Sequence, residues 1–107
     1  MNIQYREMGM HKILGLHGDV DYFSMSELKN VIFKLINEKI PSIILDMRDV
    51  EYMDSSGIGL IVTAHKAMHA YNGTIGLINV HEDIMLLLKL ATVDSFLKIY
   101  NNEDDIK

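Results

Sequence analysis

Apolar and polar residues alternate along Ile3–Met8, the two-residue period of a half-buried strand. Gly9-Met10-His11 reads as a turn, and Lys12–His17 carries Leu14 and Leu16 on one side. The two segments are therefore predicted to pair as a β-hairpin. Gly18-Asp19-Val20-Asp21-Tyr22-Phe23 is a loop, with Ser24 the expected N-cap of a first helix. Glu27 stands three residues later and completes a capping-box pattern. Leu28, Val31, Ile32, Leu35 and Ile36 then fall on one helical stripe, and Pro41 stops it.

The period changes again beyond Pro41. Ser42–Met47 is a short apolar run of the kind buried on both faces of a sheet. A loop over Arg48–Met53 leads to Asp54-Ser55-Ser56-Gly57-Ile58-Gly59, the start of a second helix of about 14 residues. Ile58, Ile61, Val62 and Met68 recur at helical spacing, and Leu60, Ala64 and Ala67 broaden that face. Asn72-Gly73 is suited to a left-handed C-terminal cap. Thr74–Asn79 is predicted as a buried strand and His81–Ala91 as a helix dense in leucine from Leu86 to Leu90. Phe96–Tyr100 alternates as a last short strand, and the polar tail Asn101–Lys107 reads as the start of a truncated helix.

The resulting order, β-β-α-β-α-β-α-β, defines an α/β fold. Strand–helix–strand crossovers are overwhelmingly right-handed and parallel. A mixed, mostly parallel sheet covered by helices is expected, with the N-terminal hairpin as its antiparallel part. A length of 107 residues suits one domain spanning 1–107. The chain shows no internal repeat, low-complexity tract or linker.

Composition narrows the chemistry. Apolar residues make up 49% of the chain, enough to build a core without staples. There is no cysteine, which removes disulfides, thiolate metal sites and thiol nucleophiles together and fits a reducing cytoplasm. No signal peptide is visible at Met1–Arg6, and no apolar run approaches the ~20 residues of a membrane span. The formal net charge is −5 and the only arginines are Arg6 and Arg48, so no basic cluster exists for a phosphate backbone. Neither nucleic acid nor membrane is expected as a partner.

The stretch richest in chemistry is Ile43–Val62, where a buried strand feeds a loop and two serines meet the start of a helix. Such an end has unpartnered N–H groups and a positive dipole. On the residues alone, Asp54, Ser55 or Ser56 reads as a helix cap, and Gly57 and Gly59 allow close backbone approach.

The string Asp54-Ser55-Ser56-Gly57-Ile58-Gly59, after an Ile-Leu-Asp strand and Tyr52-Met53, resembles the phosphorylation motif of the anti-sigma factor antagonists. That family is built on the STAS domain. Gly18-Asp19-Val20-Asp21 is similar to a second family motif ahead of the first helix, and the resemblance covers essentially the whole chain. It implies a STAS-type fold and a non-enzymatic switch between partners. Ser55 falls at the position phosphorylated by an anti-sigma factor that is also a serine kinase. The unphosphorylated protein binds that factor and releases a sigma factor; phosphorylation abolishes binding, and a serine phosphatase reverses it. Asp19, Asp21 and Tyr22 of the loop, with Asp54, Ser56, Gly57, Ile58 and Gly59 at the helix start, occupy the family's contact surface. Asp54 would serve kinase recognition or geometry.

Electrostatics agrees with such a switch. A phosphoserine carries about −1.5 to −2 charges, and two unit charges ~6 Å apart at an effective dielectric of ~20 repel by roughly 3 kcal/mol. Asp54 adjoins Ser55, and Asp19 and Asp21 lie close by if the fold is of this type. Two departures from the family pattern stand out: Asp19 replaces the more frequent glutamate, and the C-terminal helix is short or absent. An alternative reading is a STAS scaffold subunit of a larger signalling or transport assembly.

Other features have plainer readings. His65 and His69 have metal-pair spacing, but Lys66 stands where a zinc-protease glutamate belongs and no third ligand is evident. No metal or cofactor is expected. A serine hydrolase would need a histidine beside Ser55 and a nucleophile elbow, and Met53 occupies the elbow's glycine position. No catalytic residue is assigned, and no phosphate-binding Gly-x-x-x-x-Gly-Lys loop occurs. Met47, Met68 and Met85 are expected in the core, Met25 and Met53 nearer the contact face. Leu86–Leu90 reads as helix core or, in part, as an association patch.

Overall fold

The computed structural model of the chain describes residues 1–106. Its elements are β1 (Asn2–Met8), β2 (His11–His17), α1 (Met25–Asn37), β3 (Ser42–Asp49), α2 (Ser55–His69), β4 (Thr74–Ile78), α3 (Glu82–Leu90) and β5 (Lys98–Tyr100). Two single 3-10 turns, Val93–Ser95 and Glu103–Asp105, flank β5. The strands lie in the order β1-β2-β3-β4-β5; β1 and β2 run antiparallel, and every later pair is parallel. This is the α/β architecture expected from the alternation of patterns.

The period of two sorts the strand residues between two layers. Leu14, Leu16, Ile43, Leu45, Met47, Ile75 and Leu77 belong to one large core with Leu28 and Ile32 of α1, Leu60, Ile61 and Met68 of α2, and Ile84 and Leu88 of α3. Ile13, Ile44 and Ile78 form a smaller cluster with Ile106. Helices therefore build the main core, and the C-terminal segment supplies the buried apolar side chain of the second. That second contact makes β3 a strand buried on both sides from Ser42 to Leu45, while Arg48 and Asp49 at its end are exposed. Burying each such isoleucine or leucine contributes about 1.5–3 kcal/mol.

Helix ends follow local chemistry. At the end of α2, Asn72 has φ 64°, Gly73 N–H donates to Met68 O at 2.7 Å and Asn72 N–H to His69 O at 3.1 Å. This is the paired bonding of a Schellman motif, with Asn72 as the left-handed residue. Gly73 is needed for space, since a Cβ there would lie 2.7 Å from the Tyr71 ring. α1 closes in the same way through Lys39 at φ 58°, with Pro41 following the cap.

Three expectations need correction. Ser24 makes no capping hydrogen bond, and Glu27 pairs with the Met1 ammonium at 3.4 Å. Ser24 does stand at the N-cap position, but the capping box does not form, because the chain has already turned at Asp21, whose Oδ1 accepts the N–H groups of Phe23 and Ser24, both at 3.0 Å. The leucine run is not uniformly core: Leu88 is buried, whereas Leu86 and Leu90 are exposed. The tail Asn101–Lys107, predicted as the start of a helix, forms only the turn Glu103–Asp105 before the buried Ile106, and its last residue, Lys107, lies outside the described residues. Met47 and Met68 are fully buried, Met53 is buried, and Met25 and Met85 are half-buried. No described helix is long and apolar enough to cross a membrane.

Candidate functional site

The loop after β2 and the start of α2 are separated in sequence but joined by backbone pairing. Val20 forms an isolated parallel bridge with Met53. Val20 N–H donates to Tyr52 O at 3.0 Å, and Asp54 N–H donates to Val20 O at 3.2 Å. Buried Val20 is the apolar pin of this junction. Gly57 makes it possible: a Cβ there would lie 2.7 Å from Val20 Cγ1, 2.9 Å from Met53 Cγ and 3.0 Å from Val20 O. Gly59 differs, because a Cβ at that exposed position would meet nothing within 4 Å.

Asp54 is the N-cap of α2. Its Oδ1 accepts Ser56 N–H at 2.9 Å and Gly57 N–H at 3.4 Å, while Oδ2 accepts Tyr22 N–H at 3.1 Å. One carboxylate thus satisfies donors from both segments. Desolvation pushes its pKa up, but the backbone donors of Tyr22, Ser56 and Gly57, with the Ser56 hydroxyl, outweigh that and hold it below the usual carboxylate value.

Ser55 follows as the first residue of α2 and is exposed. Its hydroxyl has no hydrogen-bond partner among the described residues, so it points neither into a cap nor into the core. The five histidines are engaged elsewhere. His11 bonds Ser42, His17 bonds Asp49, His81 bonds Arg48 O, and His65 stacks between His69 and Phe96.

The sequence-predicted residues divide by role. Asp21 is half-buried and its carboxylate shapes the loop; Asp19 is exposed, with its carbonyl accepting the Ser24 hydroxyl at 2.7 Å. Tyr22 is 73% exposed. Ser56 and Ile58 are half-buried, Gly57 buried and Gly59 exposed. All are carried by the joined loop and helix start. The sequence reading placed Tyr22 and Ile58 on this surface but did not single out Phe23 or Tyr52. Phe23 is 90% exposed and Tyr52 54% exposed. A shallow groove of about 570 Å³ runs past Tyr22, Phe23, Met25, Ser26, Lys29 and Ser56. Two consecutive aromatics between an acidic loop and a helix start were the available signal.

Comparison with known proteins points to the same region of fold space. The family model described as "STAS domain" matches residues 2–106. An anti-sigma F factor antagonist of Paenibacillus polymyxa is 27% identical over 107 residues, covering 96% of this chain and 91% of that protein. The crystal structure of a Thermotoga maritima protein described as an anti-sigma factor antagonist aligns with a TM-score of 0.91 at 25% identity, over 96% of this chain and 89% of that one. The phosphorylated form of the Bacillus cell fate determinant SpoIIAA shares the fold, with a TM-score of 0.75 at 20% identity over 98% and 96% of the two chains.

Proposed function

This chain belongs to the STAS-domain family, and from that premise we propose that it is an anti-sigma factor antagonist switched at Ser55. In this reading the unphosphorylated protein binds an anti-sigma factor with serine kinase activity and so frees a sigma factor in the cytoplasm. Phosphorylation of Ser55 ends that binding, and a serine phosphatase restores it. The protein acts by binding and performs no catalysis of its own. The names of its relatives support the antagonist role.

The observation that carries the switch is the exposed, unpartnered Ser55 hydroxyl beside a carboxylate that ties the loop to the helix. A kinase can reach such a hydroxyl without unfolding the chain. Helix N-termini ordinarily welcome a phosphate, but here Asp54 already occupies the N–H groups of Ser56 and Gly57. A phosphate on Ser55 would therefore add its charge to the contact surface rather than be absorbed into the fold. Each 1.4 kcal/mol of repulsion or added desolvation cost weakens a complex tenfold. No large conformational change is required.

The test is affinity capture with mass spectrometry using wild type, Ser55→Ala and Ser55→Asp. The antagonist reading expects a histidine-kinase-like ATPase with the first two and not the third. Equal retention by Ser55→Asp, or no phosphate on Ser55 after incubation with that kinase and ATP, overturns the switch. Recovery of one large oligomeric complex with all three would instead identify a scaffold subunit.

A further inference from the structure

We propose that Phe23 is the apolar anchor of the docking surface, inserting into a basic-rimmed apolar cleft on the anti-sigma factor. This rests on the antagonist reading and adds the chemistry of the partner. A phenylalanine left almost wholly in water is unfavourable unless something covers it. A flexible loop would fold such a ring against the nearby groove. The backbone of this loop is fixed, with Phe23 N–H bonded to Asp21 Oδ1, Tyr22 N–H to Asp54 Oδ2 and the Ser24 hydroxyl to Asp19 O, and the ring stands 90% exposed. Tyr22 meets the Phe23 ring edge-on with centroids 5.7 Å apart, bracing it from the side. A rigidly presented aromatic loses little entropy on binding, which is the property of an interface hot spot.

Charge identifies the occupant. Asp19 and Asp21 line a groove together with Phe23, and Asp54 accepts the Tyr22 N–H, on a chain of net charge −5. A second copy would bring the same acids against them, and like charges facing one another at an interface are costly. The complementary surface is an apolar cleft edged by lysine or arginine. The basic rim meets the groove lined by Asp19, Asp21 and Phe23, while the groove past Met25 and Ser56 continues from Phe23 toward the first turn of α2 and seats an apolar part of the partner next to Ser55. Anchor and phosphoacceptor then lie on one surface, so a single docked segment covers both.

The test uses the purified kinase captured by the wild-type chain. Phe23→Ala is expected to weaken binding about 30-fold or more, Phe23→Leu to recover part of the loss, and melting temperature to change little. Wild-type affinity should fall as salt rises. Binding by Phe23→Ala within twofold of wild type, while Ser55→Asp still abolishes it, overturns the anchor and leaves the antagonist reading standing. Failure of the wild-type chain to bind any kinase removes both. Self-association of the isolated chain by sedimentation, lost in Phe23→Ala, would also overturn the inference by making a second copy the occupant.

Discussion

The Oδ2 atom of Asp54 accepts the backbone N–H of Tyr22 at 3.1 Å, so the cap of one helix also fastens the loop that precedes another. The other oxygen of the same carboxylate holds the Ser56 and Gly57 amides. Stability and presentation of the site are thus coupled through one side chain. Asp54→Ala should lower the melting temperature by several degrees, about what loss of a cap produces in a domain of this size. Asp54→Asn should fall between the two, because its amide oxygen keeps one acceptor. Hydrogen exchange at Tyr22 and Ser56 should rise in both variants; unchanged protection at Tyr22 would show that the loop is held by Val20 alone.

The same carboxylate sets a pH dependence. Desolvation acts against its ionisation, yet the backbone donors prevail and its folded pKa lies below the ordinary value. A depressed carboxylate pKa contributes stability that is present above the unfolded value of about 3.9 and is lost as pH falls through the folded one. Wild type should therefore exceed Asp54→Asn in melting temperature at pH 7, and the gap should narrow below about pH 4. A gap that is constant from pH 7 to pH 3 would mean the ionised form is not what the donors stabilise.

A second, smaller core gives an independent stability prediction. Ile106 is buried against Ile13, Ile44 and Ile78, on the side of β3 that faces away from the helix-lined core. Ile106→Ala should cost about 2 kcal/mol, the low end for a buried isoleucine, because the cluster it joins is small. Urea denaturation measures it. Breaking the exposed Arg6–Glu103 pair with Glu103→Gln should cost less than about 1 kcal/mol. If Glu103→Gln costs as much as Ile106→Ala, charge holds the segment as firmly as burial does.

These features differ in how far the chain pattern revealed them. The element order and the parallel crossovers were legible because period and crossover handedness agree, whereas the residues alone left Asp54, Ser55 and Ser56 all open as the cap of α2, and only the fold selects Asp54. Ser24 to Glu27 spells a capping box, but Asp21 to Ser24 offers an equally good turn first, and the earlier one forms. Leu86 is two residues from both Ile84 and Leu88, roughly 200° around a helix, so a dense leucine run concealed an exposed side. Ile106 stands alone in a polar tail and has no period to announce it. The exposure of Phe23 depends on hydrogen bonds from Asp21 and Asp54 that only the folded chain brings together.

The two glycines of the helix start should respond in opposite directions. Gly57→Ala would push a methyl into Val20 and Met53, with a backbone oxygen among the three nearest atoms, so the loop must shift. Overpacking of this kind costs about 1–3 kcal/mol, and the displaced loop should also lose partner binding. Gly59→Ala enters open space on an exposed helix position and should stabilise the chain by about 0.5–1 kcal/mol. Its binding should nevertheless weaken at least tenfold if the partner closes over the first turn of α2, because the added methyl then meets the partner rather than this chain. Denaturation midpoints and binding constants on the same protein samples separate the two effects. A Gly59→Ala chain that is more stable and binds as well as wild type would place the contact on the loop and exclude the helix start.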